Sequence, residues 1–321
     1  FVGIPTLPIS YSDAMPILEA LEGPVAPPRW RGGLPITYHM GPGPAMLHLK
    51  LEFNWDIVPT YNIIAKMEGS EFPDQWVIRG NHHDAWVHGA ADPISGLVVE
   101  MEEARILSEY AKETGWRPKR TIVFAAWGSE EQGLIGSVEW VEEHALELRE
   151  KAVAYINTDG NGAGFLGAGG SHTLETFFDE IAHSVTDPIQ GMTAAERVRS
   201  RNLMSSNSLT RSRAEKSSHY YLSALGSGSD YSGFFQHLGI TSMNIGYGGE
   251  YGGGSYHTNY DSYHYYTKFR DPGLHYTKAL GSVTGRVATR LANADVLPFQ
   301  FGNMARTVSE YADEMVSAME K

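Results

Sequence analysis

The chain has 321 residues, enough for two or three domains, and its 25 Lys+Arg against 38 Asp+Glu give a formal net charge of −13. That acidic balance argues against nucleic acid as a partner, because phosphate binding needs a basic face, and 42% hydrophobic residues supply a real core and exclude wholesale disorder. Zero cysteines remove disulfides, thiol nucleophiles and Cys-ligated zinc together, so any metal must be held by His, Asp and Glu.

The chain opens on Phe1-Val2-Gly3, with neither an initiator Met nor a signal-type apolar core, and reads as an excised or processed segment. No N-x-S/T acceptor occurs, and no apolar run approaches the roughly 18 residues of a membrane span. Proline-rich residues 1–45 predict one short helix, around 12–21, inside extended, turn-rich chain. Met46-Leu47-His48-Leu49-Lys50-Leu51 alternates like a half-buried strand, and Asn62-Ile63-Ile64-Ala65 suggests another. Trp76-Val77-Ile78 is a short apolar strand that stops at Gly80-Asn81-His82-His83-Asp84. A helix over 95–111 comes next, with Leu97, Val98, Met101, Ile106, Leu107 and Tyr110 on helical spacing. Thr121 to Trp127 is a continuously apolar strand of the doubly covered, parallel kind, and it runs into Gly128-Ser129-Glu130-Glu131 and a helix through about Leu148. Ala152 to Asn157 is a third buried strand, ending near Asp159.

Strand, helix, strand, helix, strand at this spacing predicts an α/β fold with a mostly parallel mixed sheet flanked by helices. Beyond it the expectations are a helix near 174–185, a Ser/Arg-rich loop at 205–218, a strand at 240–245, a helix over 271–294 and helical periodicity over 305–320.

Three of the strands end in a candidate metal ligand: His82, the pair Glu130-Glu131, and Asp159. Parallel sheets gather function at the carboxyl ends of their strands, so these endings converge on one crevice, with Asp92 of Asp92-Pro93 between the first two. Imidazole and carboxylate without sulfur is a donor set that borderline divalent ions use. Each member has a plainer reading: a capped His, a Glu pair suited to a helix N-terminus, an Asx turn. Coincidence would have to act at successive strand ends, and the conjunction is stronger than its parts.

Other motifs carry less. Gly162-Ala163-Gly164-Phe165-Leu166-Gly167 matches the dinucleotide fingerprint but comes after the third strand and opens no helix at once. The Gly248–Gly254 cluster lacks a phosphate-loop ending and reads as a flexible or close-approach loop. Arg211, Arg213 and Lys216 read as a solvated loop, and neither H-E-x-x-H nor G-x-S-x-G occurs. His83, His88 and the remaining histidines read as surface or packing residues.

Asn81-His82-His83-Asp84-Ala85-Trp86-Val87, Asp92-Pro93-Ile94-Ser95-Gly96, Trp127-Gly128-Ser129-Glu130-Glu131-Gln132-Gly133-Leu134-Ile135-Gly136-Ser137, Ile156-Asn157-Thr158-Asp159 and Tyr256-His257-Thr258 together resemble the glutamate carboxypeptidase II and transferrin receptor-like family, more distantly related to two-zinc aminopeptidases. The match runs from about Ile57 to Leu297.

The resemblance implies a zinc exopeptidase fold and two Zn²⁺, with His82 and Asp159 on one ion, Glu131 and His257 on the other, and Asp92 bridging. It implies Glu130 as general base activating a bridging hydroxide, Tyr256 as hydroxyl donor to the oxyanion, and Asp84 as the carboxylate that orients His82. It further implies a cis Asp92–Pro93 bond. Glu139 and Glu142 match two carboxylates of a structural calcium site whose remainder would lie ahead of Phe1.

By the same resemblance residues 1–56 are the tail of a protease-associated (apical) domain, 57–297 the zinc peptidase catalytic domain, and 298–321 the start of a helical dimerisation domain. The implied partners are a peptide substrate and, for the full-length protein, a second copy, in an extracytoplasmic setting (secreted, periplasmic or outward-facing). Gly228-Ser229-Asp230 replaces a Gly-Asn-Asp, and Asn244 and Gly246 stand where the mammalian enzyme has arginines, so a preference for Glu-terminated peptides does not transfer. The competing readings are an aminopeptidase of the same superfamily and a catalytically inactive, receptor-like binding protein. All five ligand positions remain chemically competent, which disfavours the inactive one.

Overall fold

The computed structural model describes residues 4, 6–250 and 253–319; the opening Phe1-Val2-Gly3, the middle of the Gly248–Gly254 cluster and residues 320–321 lie outside the described residues. The chain divides into two compact units, Phe1–Pro59 and Thr60–Lys321.

In the first unit α1 (Tyr11–Glu19) starts at Ser10, whose hydroxyl accepts from the Asp13 amide at 3.2 Å. A 3₁₀ turn spans Pro28–Trp30, and Val25 bridges His39. The strand expected at Met46 to Leu51 does not form. Among the described residues no neighbouring strand takes its hydrogen bonds, and Met46 and Leu47 are exposed.

The second unit is built on six strands: β1 (Ile63–Met67), β2 (Phe72–His82), β3 (Arg120–Trp127), β4 (Ala152–Asn157), β5 (Gly164–Gly170) and β6 (Ser242–Gly249). Their order is β1-β3-β2-β4-β6-β5. The four central strands are parallel, while β1 and β5 lie antiparallel at the edges.

Successive side chains of β2 and β3 serve opposite faces, as the period of two requires. Val77, Ile122 and Phe124 enter one core, with Val99 and with Leu280, Val283, Val287 and Leu291 of a later helix. Trp76, Ile78, Val123 and Trp127 enter the other, with Val141, Leu148 and Phe234. Burial on both faces is why these strands read as unbroken apolar runs.

The helices are α2 (Ile94–Thr114), α3 (Ile135–Glu143), α4 (Ala145–Lys151), α5 (Glu175–Ser184), α6 (Ala194–Leu203), α7 (Ser208–Lys216), the single turn α8 (Tyr263–Tyr265), α9 (His275–Asn293) and α10 (Phe301–Met319). The helix expected through Leu148 is two, broken at His144. The loop expected at 205–218 is largely α7, and the glycine-rich fingerprint at Gly162 to Gly167 runs into strand β5. Gly115, at φ 74°, caps α2 in the left-handed conformation that glycine adopts without strain. No helix among the described residues is long and apolar enough to cross a membrane.

Strand register brings the candidate ligands to one edge of the sheet. His82 pairs with Trp127 and Gly80 with Asn157, so the carboxyl ends of β2, β3 and β4 finish close together, while β6, paired to Asn157 through Asn244, runs on to Gly249.

Candidate metal centre

His82 is the last residue of β2, and its Nε2 lies 3.2 Å from Asp159 Oδ1, 3.3 Å from Asp92 Oδ1 and 3.9 Å from Glu130 Oε2. His257 arrives on the loop after β6, with Nε2 3.1 Å from Asp92 Oδ2 and 3.1 Å from Glu131 Oε2. The two oxygens of Asp92 therefore face two different imidazoles. His82, Glu130 and Asp159 form one group close enough to share a cation, and Asp92, Glu131 and His257 a second.

Backbone geometry aims these side chains. Asp92–Pro93 is cis, and Ser129 (φ 56°) and His257 (φ 54°) occupy the left-handed region that non-glycine residues seldom visit. The Asp84 carboxylate accepts from the Glu130 amide at 3.0 Å and the Glu131 amide at 3.2 Å, and its Oδ1 sits 3.5 Å from His82 Nδ1. His82 Nδ1 is nearer still to the Asp84 backbone carbonyl, at 3.1 Å.

Two anchors carry no signal in the sequence. Buried Asp261 accepts from the Ala91 and Asp92 amides at 2.8 and 3.0 Å and so fixes the loop bearing Asp92. Ser229 donates to Asp159 Oδ2 at 2.8 Å, and a chain of hydrogen bonds stands behind it. Trp127 Nε1 donates to the Tyr155 hydroxyl, that hydroxyl to Asn157 Oδ1, and Asn157 Nδ2 to Ser229 Oγ, at 2.9, 2.9 and 3.0 Å. In the sequence Ser229 stands out only as a departure from a family pattern.

The Tyr256 ring, 65% exposed, stacks on the His257 imidazole at 3.6 Å, and Trp86 lies 6.1 Å from that imidazole. His83 turns away, its Nε2 2.9 Å from the Tyr61 carbonyl, and His88 belongs to neither cation-sized group. Glu139 and Glu142 are exposed on α3 and form no such group with a third ligand among the described residues, so nothing supports calcium there.

The electrostatics ask for positive charge. Burial pushes the Glu130 carboxyl up to about 8, with the charges of Asp230, Asp159 and Glu131 adding and His82 opposing. Burial likewise raises Asp92 and Glu131. Burial disfavours protonated His82, yet Asp159, Asp84 and Asp92 outweigh it and raise the imidazole far above its ordinary value. A proton on His82 thus answers the same carboxylates that a metal ion would, and the two compete. Glu131 Oε1 is buried with no hydrogen-bond partner among the described residues, an orphaned anionic oxygen that a cation would satisfy. Imidazole nitrogen and carboxylate oxygen without sulfur fit zinc.

Comparison with known proteins gives the family. The family model described as peptidase family M28 matches residues 62–270. The chain is 38% identical over 314 residues to "Probable glutamate carboxypeptidase LAMP1" of Arabidopsis thaliana, covering 97% of this chain and 43% of that protein. It is 35% identical over 343 residues to "Aminopeptidase NAALADL1" of Mus musculus, covering 99% of this chain and 44% of that protein. The chain thus spans less than half the length of these relatives. Among solved structures, a zinc aminopeptidase from Bacillus subtilis superposes with TM-score 0.51 at 23% identity, over 73% of this chain and 50% of that one. An aminopeptidase from Aneurinibacillus sp. strain AM-1 gives 0.51 at 19% identity, over 74% and 48%. At those identities the structural likeness establishes the fold alone. The sequence match across strands, ligand-bearing loops and the His257 segment carries the assignment: this chain belongs to peptidase family M28.

Proposed function

We propose that the chain carries the catalytic domain of a two-zinc exopeptidase that trims short peptides. One observation carries the reading: the Asp92 carboxylate stands between His82 and His257, one oxygen toward each, with Asp159 and Glu131 at hydrogen-bonding distance from the respective imidazoles. In this reading His82 and Asp159 would hold one zinc ion and Glu131 and His257 the other, with Asp92 offering one oxygen toward each pair. Bound zinc supplies Lewis acidity to the scissile carbonyl and acidifies water.

The remaining steps belong to the chain's own residues. Glu130, whose Oε2 lies 3.9 Å from His82 Nε2, accepts the proton of the attacking water and returns it to the departing amine. Asp84 holds the Glu130 and Glu131 amides and faces His82, so one carboxylate keeps base and imidazole in register. Tyr256, stacked on His257 and open to solvent, offers its hydroxyl to the oxyanion.

Relatives named as glutamate carboxypeptidases and as aminopeptidases support an exopeptidase equally from either end of the substrate. The test is a peptide-library digest on the longest native form of the protein, with and without a chelator. Chelator-sensitive loss of single residues from one terminus is the expected result and identifies which terminus. Internal cleavage, or trimming indifferent to the chelator, refutes the proposal.

A further inference from the structure

A cavity of about 170 Å³ shares a wall with the metal centre, the Tyr256 ring that stacks on His257. Much of its lining is bare backbone, at Gly162, Gly248, Gly249 and Gly253, and its cation is Arg270. Arg270 Nε donates to the Asn161 carbonyl at 3.1 Å and Nη1 to Ser255 Oγ at 3.2 Å, both neutral acceptors. The absence of a side chain at Gly162 permits this seat, because a Cβ there would stand 2.9 Å from both Cγ and Nε of Arg270.

Arg120, Arg199 and Arg211 also bond only neutral acceptors among the described residues, but Arg270 is the arginine that lines the cavity beside Tyr256. Arg79 pairs with Glu103, Arg197 with Asp187 and Glu250, Arg213 with Glu310, and Arg306 with Glu175. Among the described residues no carboxylate lies within ion-pair distance of Arg270, in a chain with 38 acidic against 25 basic residues. Nη2 makes no hydrogen bond to the described residues. A guanidinium fixed through two nitrogens, with its charge unanswered beside a small cavity, is preorganised for a planar anion.

We propose that this cavity is a carboxylate subsite: a carboxylate of the peptide, either its terminal group or an acidic side chain, docks on Arg270 with Tyr256 between it and the scissile bond. The proposal rests on the peptidase reading and names the chemistry the substrate brings. Arg270 lies outside the β6 positions, Asn244 and Gly246, where the sequence lacks arginine. A bracing role alone, tying Ser255 to Asn161, would need hydrogen bonds and no charge.

The experiment uses the longest native, zinc-loaded protein and two matched pairs: Ala-Ala against Ala-Ala amide, which varies the terminal carboxylate, and Ala-Glu against Ala-Gln, which varies the side chain. Wild type is expected to favour the carboxylate-bearing member of one pair by about 10- to 100-fold in kcat/KM, the span of one charge-assisted contact, chiefly through KM. In Arg270→Gln the ratio for that pair falls to about one, and Arg270→Lys restores part of it. No preference in either pair, or an equal loss on both members in Arg270→Gln, overturns the subsite. If zinc-loaded protein cleaves none of the four, the peptidase reading fails separately. Calorimetric binding of the same pairs to wild type and Arg270→Gln then decides the subsite.

Discussion

Replacing Asp84 by Asn tests whether one carboxylate organises the whole centre. The change keeps size and shape but turns one oxygen into an NH₂ group, which cannot accept from an amide. Asp84 Oδ1 receives the Glu130 amide at 3.0 Å and Oδ2 the Glu131 amide at 3.2 Å, so one of the two donors is left facing another donor. A hydrogen bond to a charged group contributes about 1.5–3 kcal/mol, and an uncompensated donor adds a similar order of penalty, so metal-free protein should lose about 2–4 kcal/mol. The negative charge opposite His82 Nδ1, at 3.5 Å, disappears as well. Loss of such an outer partner typically weakens metal binding about 10- to 100-fold. Urea unfolding of metal-free protein reads the first effect, and zinc competition against a chromogenic chelator reads the second. Zinc affinity within about two-fold of wild type, together with unchanged urea stability, would refute the argument that Asp84 couples the glutamate turn to the imidazole.

Glu130→Gln should retain zinc while kcat falls by several orders of magnitude. Glu130 sits within reach of the His82–Asp159 group, so a large drop in zinc affinity would instead make it a ligand, and near-normal turnover would remove it as the base. Acid stability depends on Glu175, whose side chain is 2% exposed. Burial alone would raise that carboxyl, but His172, His219, the Leu222 amide and Arg306 outweigh it and hold it at about 2, against an ordinary 4.5. A depressed carboxyl gives stability that is whole above its unfolded value and is lost as pH falls from about 4.5 toward 2. The contribution is about 3 kcal/mol, and denaturant titrations across that window should show it in wild type and not in Glu175→Gln; parallel curves would contradict it. His219, raised to about 9 chiefly by Asp179 and then Glu175, has the opposite sign, intact below 6.5 and lost as pH rises through 9.

What could be read in the sequence was what burial and periodicity write there. The central strands stand out as apolar runs because helices cover both faces, and the residues just past their ends mark the crevice. Strand β5 hid because its Gly164 and Gly167 belong to the stretch from Gly162 that matches the dinucleotide fingerprint. Its glycines answer to packing, for a Cβ on Gly170 would stand 2.7 Å from the Ser242 carbonyl. Helix α7 hid because it buries only Ala214. Asn207 caps it, accepting from the Leu209 and Thr210 amides at 3.0 Å, and Arg213 ties it to Glu310 on α10. Helix α6 could have been found, since Thr193-Ala194-Ala195-Glu196 is a capping box and both of its reciprocal bonds form.

Among the groups that hold the candidate ligands, Asp84 was expected beside His82, but its grip on the glutamate turn and the roles of Ser229 and Asp261 hid for a different reason. Asp84 grips residues 46 and 47 positions away, Ser229 reaches back 70 positions to Asp159, and Asp261 fixes the Asp92 amide from 169 positions along the chain. None of these long-range bonds has a local pattern, because the partner is set by strand register and not by sequence spacing. Each ends on a backbone amide or carboxylate that is correctly placed only when β2, β3, β4 and β6 are paired. Donor identity is therefore a sequence property here, while donor geometry belongs to the completed sheet. A single ligand change removes one donor. A change at Asp84, Ser229 or Asp261 leaves every donor present and moves it, which is why affinity for the ion, and not its presence in the sequence pattern, measures whether the centre is intact.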